Sequence, residues 1–268
     1  MSRPEAYTHG HHESVLRSHR WRTAENSVAY LLPHLVPGAT VVDVGSGPGT
    51  ITVDLAERVA PGTVIGIDAA PEIVADAGRL AAGRGLDNVT FRVGDAYALD
   101  LPDASADIVH THQMLHHLAR PVDALREFAR VARPDGLISA REIDYEGVFW
   151  YPLIPALDEW LDLYLRVHRG SGGEPSAGRR LKSWAQEAGL SDIRSTASVW
   201  LYESDDDRAW WGDSWAHRVL ESSFAELALA RGEADRATLE RIASGWREWA
   251  AAPDGWLVMP HGEILAKP

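Results

Sequence analysis

Short apolar runs and longer amphipathic segments alternate along the first half of the chain. Val41-Val42-Asp43-Val44 reads as a buried strand, and Ile51–Ala60 behind it reads as a helix. A second strand is expected at Thr63–Ile67, ending at Asp68, and a helix follows on the stripe Ile73, Ala77, Leu80 and Ala81, closing near Gly83–Gly85. Further strands are expected at Asn88–Val93, Ile108–His112 and Leu137–Ala140. Between the last two, a helix opened by Pro121 turns Leu125, Phe128, Ala129 and Ala132 inward, and Arg133-Pro134-Asp135-Gly136 reads as a tight turn. Ahead of all these, Val28, Leu31, Leu32 and Leu35 recur at helical spacing and predict a helix ending near Pro37-Gly38. The sequence predicts an α/β domain.

The pattern changes beyond Tyr151. Leu153, Leu157, Trp160, Leu161 and Tyr164 lie on one helical stripe, Arg169–Gly173 reads as a flexible joint, and Leu181, Trp184 and Ala185 mark a helix stopped at Gly189. A strand at Ile193–Tyr202, a helical insertion at Asp205–Ala252 and a last strand at Trp256–Pro260 with Glu263–Ala266 complete the chain. We expect an N-terminal arm with lid helices (1–36), a core (37–150), and an end of the sheet (151–268) with helical cap insertions at 152–190 and 205–252.

At 268 residues the chain is long enough to bury a large core without covalent staples. Cysteine is absent, which excludes disulfides, zinc–thiolate sites and a thiol nucleophile. No apolar run approaches the roughly 18 residues of a membrane span, and no leader pattern opens the chain, so a cytoplasmic protein is expected. A net charge of −13 opposes nucleic-acid binding. Eleven tryptophans gather mostly in the second half, where helical spacing points first to packing.

The candidate chemistry begins at Gly45-Ser46-Gly47-Pro48-Gly49, between the first strand and its helix. Glycines without a Cβ let a ligand approach the backbone, and the helix start adds free N–H groups. The spacing is GxGxG, where the dinucleotide fingerprint is GxGxxG, and Asp43 precedes it. A carboxylate there suits a ligand carrying an ammonium group better than a pyrophosphate.

In these residues, and in the motifs that follow in order, the chain resembles the class I methyltransferases that use S-adenosylmethionine. The likeness is strong from Val41 to Glu142 and looser beyond. It implies a Rossmann-like, seven-stranded, mostly parallel sheet of order 3-2-1-4-5-7-6 with helices on both faces and a helical cap. It also implies S-adenosylmethionine as cofactor, S-adenosylhomocysteine as product, and a cofactor site at Asp43, Gly45, Ser46, Gly47, Gly49, Asp68, Ala69, Ile73, Gly94, Asp95 and Ala96. In that reading Asp68 accepts both ribose hydroxyls, one oxygen for each donor, while Asp95 and the Ala96 N–H hold the adenine. Tyr7 and Arg20 would reach the cofactor from the N-terminal arm.

His112, Gln113 and His117 fall at the carboxyl end of the fourth strand, where ligands gather in open α/β sheets. We expect all three to contact cofactor, with His112, His117 and His12 as candidate bases. Glu142, Tyr145, Trp150, Trp211 and Trp215 are candidates for the acceptor pocket, the tryptophans forming an apolar wall that favours a flat small molecule. No metal is expected, since His9, His11, His12 and His19 match no standard ligand spacing. The expected protein methylates a small-molecule acceptor as a monomer or homodimer. The alternatives are a silent binder of the cofactor, a methyltransferase acting on a peptide or protein, and a nicotinamide-dependent oxidoreductase, the last disfavoured by the glycine spacing.

Overall fold

The computed structural model describes residues 21–268. Five parallel strands form its centre: β1 (Thr40–Val44), β2 (Thr63–Asp68), β3 (Val89–Val93), β4 (Ala106–His112) and β5 (Ala132–Ile143). β1 lies between β2 and β4, with Val42 opposite Ile65 on one side and Val109 on the other. β8 (Trp256–Lys267) runs antiparallel beside β5, and β7 (Ser191–Tyr202) runs antiparallel along the other edge of β8. The order is β3-β2-β1-β4-β5-β8 with β7 beyond, the arrangement the resemblance implies. One strand is additional: β6 (Phe149–Tyr151), which pairs with the start of β8.

Side-chain alternation along β1 explains the layers. Val41 joins Val53, Leu55 and Val59 of α2 (Thr50–Val59) on one face. Val42 and Val44 join Leu125 and Phe128 of α4 (Pro121–Val131) and Leu181 of α6 (Ala177–Ala188) on the other. A strand covered on both faces has to be apolar throughout, which is why Asp43 stands out. α3 (Pro71–Gly83) follows β2.

A third core belongs to the cap, built from α5 (Pro155–Gly170), α7 (Asp205–Glu221), α8 (Ser223–Ala230) and α9 (Arg236–Ala251). Trp160 sits at its centre, edge-on to Trp215 at 4.6 Å and to Trp246 at 4.7 Å between ring centroids. Trp215 and Trp246 stack at 5.7 Å. Edge-to-face and offset stacks are the favoured aromatic geometries, and each indole removes a large apolar area from water.

Two expectations change. The helix foreseen through Leu35 is instead α1 (Ala24–Ser27), capped by Thr23, followed by a 3-10 turn at Leu32–His34. Pro33 has no N–H with which to continue a ladder, so helical spacing persists there without a helix. Val28 and Leu31 are nevertheless fully buried. The turn foreseen at Arg133–Gly136 lies inside β5 as a bulge: Ala132 pairs with Ala106 and Leu137 with Ile108, so four residues face Asp107 alone.

Candidate active site

The glycine turn leaves β1 with Gly45 at φ +77° and Gly47 at φ +54°, conformations that side chains with a Cβ rarely adopt. Gly45 and Ser46 donate their N–H groups to the Ile67 carbonyl, tying the turn to β2. Asp68, at the end of β2, accepts from Gly47 N at 2.9 Å and from Ala70 N at 3.0 Å, one bond to each carboxylate oxygen. Its carboxylate is thereby held beside the turn, partly exposed, with a second lone pair on each oxygen. Gly94 N bonds the Asp68 carbonyl, which brings the end of β3 to the same edge. Asp95 is exposed and accepts from Tyr97 N in an Asx turn.

Asp43 is buried beneath the turn and accepts from the Thr52 hydroxyl at 2.6 Å. Burial raises its pKa to about 7, against which the Thr52 bond works. It braces β1 to α2 from below. Ser46 Oγ is buried with no hydrogen-bond partner among the described residues, a polar atom left at the floor of the turn. Ile73 is buried in α3, whereas Ala69 is exposed.

The segment after β4 is the second wall. Gln113 has φ +50°, unusual for a residue with a side chain, and its amide is gripped on both ends. Arg22 Nη2 donates to Oε1 at 2.8 Å, and Nε2 lies 2.7 Å from His261 Nε2. Glu142, fully buried, accepts from Met114 N and Leu115 N through Oε1 and faces His116 Nδ1 at 2.6 Å through Oε2. That carboxylate is committed to the loop. It is a brace, and the acceptor-contacting part expected of it does not fit such a site.

His112 is also committed. Its Nε2 receives Arg141 Nη1 at 2.9 Å, and Arg141 in turn contacts Glu263 at 3.3 Å and Ser198 at 3.0 Å. Burial first, then the charges of Arg22 and Arg141, push the His112 pKa well below the ordinary histidine value. A histidine so placed takes up a proton poorly, which argues against it as a base. Burial also lowers Arg141, to about 10, so it stays charged at neutral pH.

The site thus combines a glycine turn, an acidic residue at the end of β2 and a braced loop after β4. A family model described as a methyltransferase domain matches residues 35–189. The chain belongs to the class I S-adenosylmethionine-dependent methyltransferases. A methyltransferase of Schizosaccharomyces pombe, itself uncharacterized, is 34% identical across the whole chain and 99% of its own length. Nocamycin O-methyltransferase of Saccharothrix syringae is 42% identical over 133 residues, 49% of this chain and 44% of that one. Among solved structures, the YcgJ protein of Bacillus subtilis superposes with a TM-score of 0.60 at 22% identity, covering 91% of this chain and 98% of that one.

The cofactor of this methyltransferase is S-adenosylmethionine, and the described residues fit it: a glycine-lined turn at positive φ, an orphaned Ser46 hydroxyl, and carboxylates of Asp68 and Asp95 on one edge. Tyr7, His12 and Arg20 lie outside the described residues.

The expected tryptophan wall is where the structure differs most. Trp150, Trp211 and Trp215 are buried in the cap core, Trp211 stacked on Tyr202 at 4.3 Å, and packing accounts for all three. Tyr145, also buried, packs on Tyr164 at 4.2 Å. The aromatic residue that borders the strand-end network is Trp200 of β7, 5.8 Å from His112, with the Arg141 guanidinium 4.9 Å from its ring. Trp200, Arg22, His261 and Glu263 lie far in sequence from the motifs, and Arg141, although next to Glu142, takes its role only from partners on β4, β7 and β8. The local signal available for Trp200 is alternation at the end of β7, where Trp200 and Tyr202 are buried and Val199 and Leu201 are exposed.

Proposed function

We propose that this methyltransferase transfers the methyl group of S-adenosylmethionine to a small, flat acceptor whose own oxygen, nitrogen or sulfur is already a competent nucleophile. One observation carries the reading: the buried groups nearest the β4 and β5 ends, His112 and Glu142, are both spent on internal hydrogen bonds. The relative named for nocamycin O-methylation supports a small-molecule acceptor.

The sulfonium of the cofactor supplies an activated methyl group. What remains for the chain is to bind, align and exclude water. The glycine turn and Asp68 hold one end of the cofactor, Asp95 and Ala96 the other. Gln113, pinned between Arg22 and His261, sets the position of the loop against which the methyl donor lies. His117 is half-buried beside this loop; it and His12 are the remaining candidates for proton removal. With so little base, a phenol or enol that ionises near neutral pH suits the site better than an aliphatic alcohol.

Calorimetric titration with S-adenosylmethionine, S-adenosylhomocysteine and NADH tests the first half of the reading. Methyl transfer from labelled cofactor to a panel of phenols, enols, thiols, amines and aliphatic alcohols tests the second. Micromolar binding of both adenosyl ligands is expected, with turnover confined to acceptors that need no enzyme base (acidic phenols, enols, thiols or amines) and absent for aliphatic alcohols. Turnover of aliphatic alcohols with a rate that rises through an ionisation of the enzyme overturns the choice of acceptor, and adenosyl binding without any turnover leaves a silent binder.

A further inference from the structure

We propose that His116, His117 and His168 form a binding site for a divalent transition-metal ion of the zinc type, at the seam between the loop after β4 and the cap helix α5. Each imidazole offers a ring nitrogen within 4.8 Å of the others. The ring centroids lie 3.7 Å apart for His116 and His117, 5.4 Å for His116 and His168, and 5.2 Å for His117 and His168. Zinc bonds of about 2.0–2.1 Å place ligand nitrogens roughly 3.3 Å apart in a tetrahedron. The three nitrogens, within 4.8 Å of one another, therefore have to draw together by up to about 1.5 Å when the ion binds.

The partners of two of the rings make this more than proximity. Glu142 already accepts two backbone N–H groups on Oε1, and its Oε2 faces His116 Nδ1 at 2.6 Å, so that ring donates from Nδ1 and keeps its lone pair on Nε2. His168 Nε2 lies 2.8 Å from the His116 carbonyl oxygen, which only accepts, so His168 carries its lone pair on Nδ1, where its partner is the Tyr164 hydroxyl at a long 3.4 Å, a bond the metal would replace. Metal-binding imidazoles are ordinarily oriented by donating the second ring N–H to a carboxylate or a carbonyl. Here one ring has each. A Cβ on Gly173 would come within 2.5 Å of both the His116 carbonyl oxygen and His168 Nε2, so the turn after α5 is pressed against the pair.

Three imidazoles select zinc, copper or nickel over the oxygen-seeking magnesium and calcium. A three-histidine set leaves one position for water. His116 and His117 sit on the core and His168 on the cap, so the ion would clamp the cap to the sheet, and it would withdraw His117 from acid–base work.

The test is calorimetric titration of the chelator-treated, full-length protein with Zn2+ and, separately, with Mg2+. One Zn2+ per chain is expected, no Mg2+, and a thermal midpoint raised by about 5 °C or more at a hundredfold excess over Kd. His9, His11, His12 and His19 offer a competing set, so two variants decide the assignment. His168→Gln should lose the site while keeping its S-adenosylhomocysteine affinity, and a variant with the four N-terminal histidines replaced by alanine should keep the site. If His168→Gln fails to fold, His117→Gln replaces it in the Zn2+ titration alone, with circular dichroism as its check of folding. No binding by the wild type, binding that survives His168→Gln or His117→Gln, or binding lost with the N-terminal histidines overturns the proposal.

Discussion

Arg141 Nη1 lies 2.9 Å from His112 Nε2, with both side chains buried. A guanidinium only donates, so the imidazole lone pair is occupied, and the pair reads as a brace between β4 and β5. His112→Ala should therefore cost about 1–3 kcal/mol of stability through the orphaned guanidinium N–H. Urea unfolding measures this. Wild-type stability in the variant, with turnover lost, returns His112 to the chemistry.

Acid should destabilise the cofactor-free protein through its buried histidines. Burial holds His110 and His168 near a pKa of about 3, and His112 and His261 well below the ordinary value. Their folded pKa values are depressed, so their contribution is present above the unfolded value of 6.5 and is lost as pH falls from there toward each folded value, about 3 for His110 and His168. Asp43 works the other way: raised to about 7, it favours the fold below 3.8 and loses that contribution as pH climbs through 7. Four histidines outweigh one carboxyl, so the urea midpoint should fall steadily below pH 6.5, and more steeply in Asp43→Asn. A midpoint independent of pH between 5 and 7 contradicts this balance.

Asp68→Ala should weaken S-adenosylhomocysteine binding at least tenfold, which corresponds to about 1.4 kcal/mol. The change leaves the ribose hydroxyls unmatched and frees the N–H groups of Gly47 and Ala70. Calorimetry of the variant against the wild type checks it, and equal affinities would place the ribose elsewhere.

Gly47→Val should abolish cofactor binding. The residue stands at φ +54°, where a β-branched side chain is strained, and its side chain would project at the turn itself. A folded variant that binds with wild-type affinity moves the cofactor away from the turn.

Trp160→Ala should cost about 3–5 kcal/mol, since Trp160 is 1% exposed and touches Trp215 and Trp246 edge-on. Thermal unfolding followed by tryptophan fluorescence reads the loss. A change below 1 kcal/mol would mean that the cap core repacks freely.

Hydrophobic period and a few special residues were enough, in the sequence by itself, to determine the order of strands and helices, the glycine turn between β1 and α2, and the acidic ends of β1 and β2. These signals are local: a strand buried on both faces is mostly apolar along its length, and a turn with positive φ favours glycine. Local spacing misled at Leu32–Leu35, where Pro33 removes a helix donor, and it was silent on the three residues of β6, too few for any period to register. Tertiary structure alone decided what the polar residues at the strand ends do. Glu142 as a loop brace, His112 as an acceptor for Arg141, and Trp150, Trp211 and Trp215 as cap core all depend on partners that the chain reaches only by folding. Arg22 and His261 meet across Gln113 from opposite ends of the described chain. A side chain's chemistry is set by what desolvates it and what bonds to it, and for buried polar groups both are supplied by residues far away in sequence.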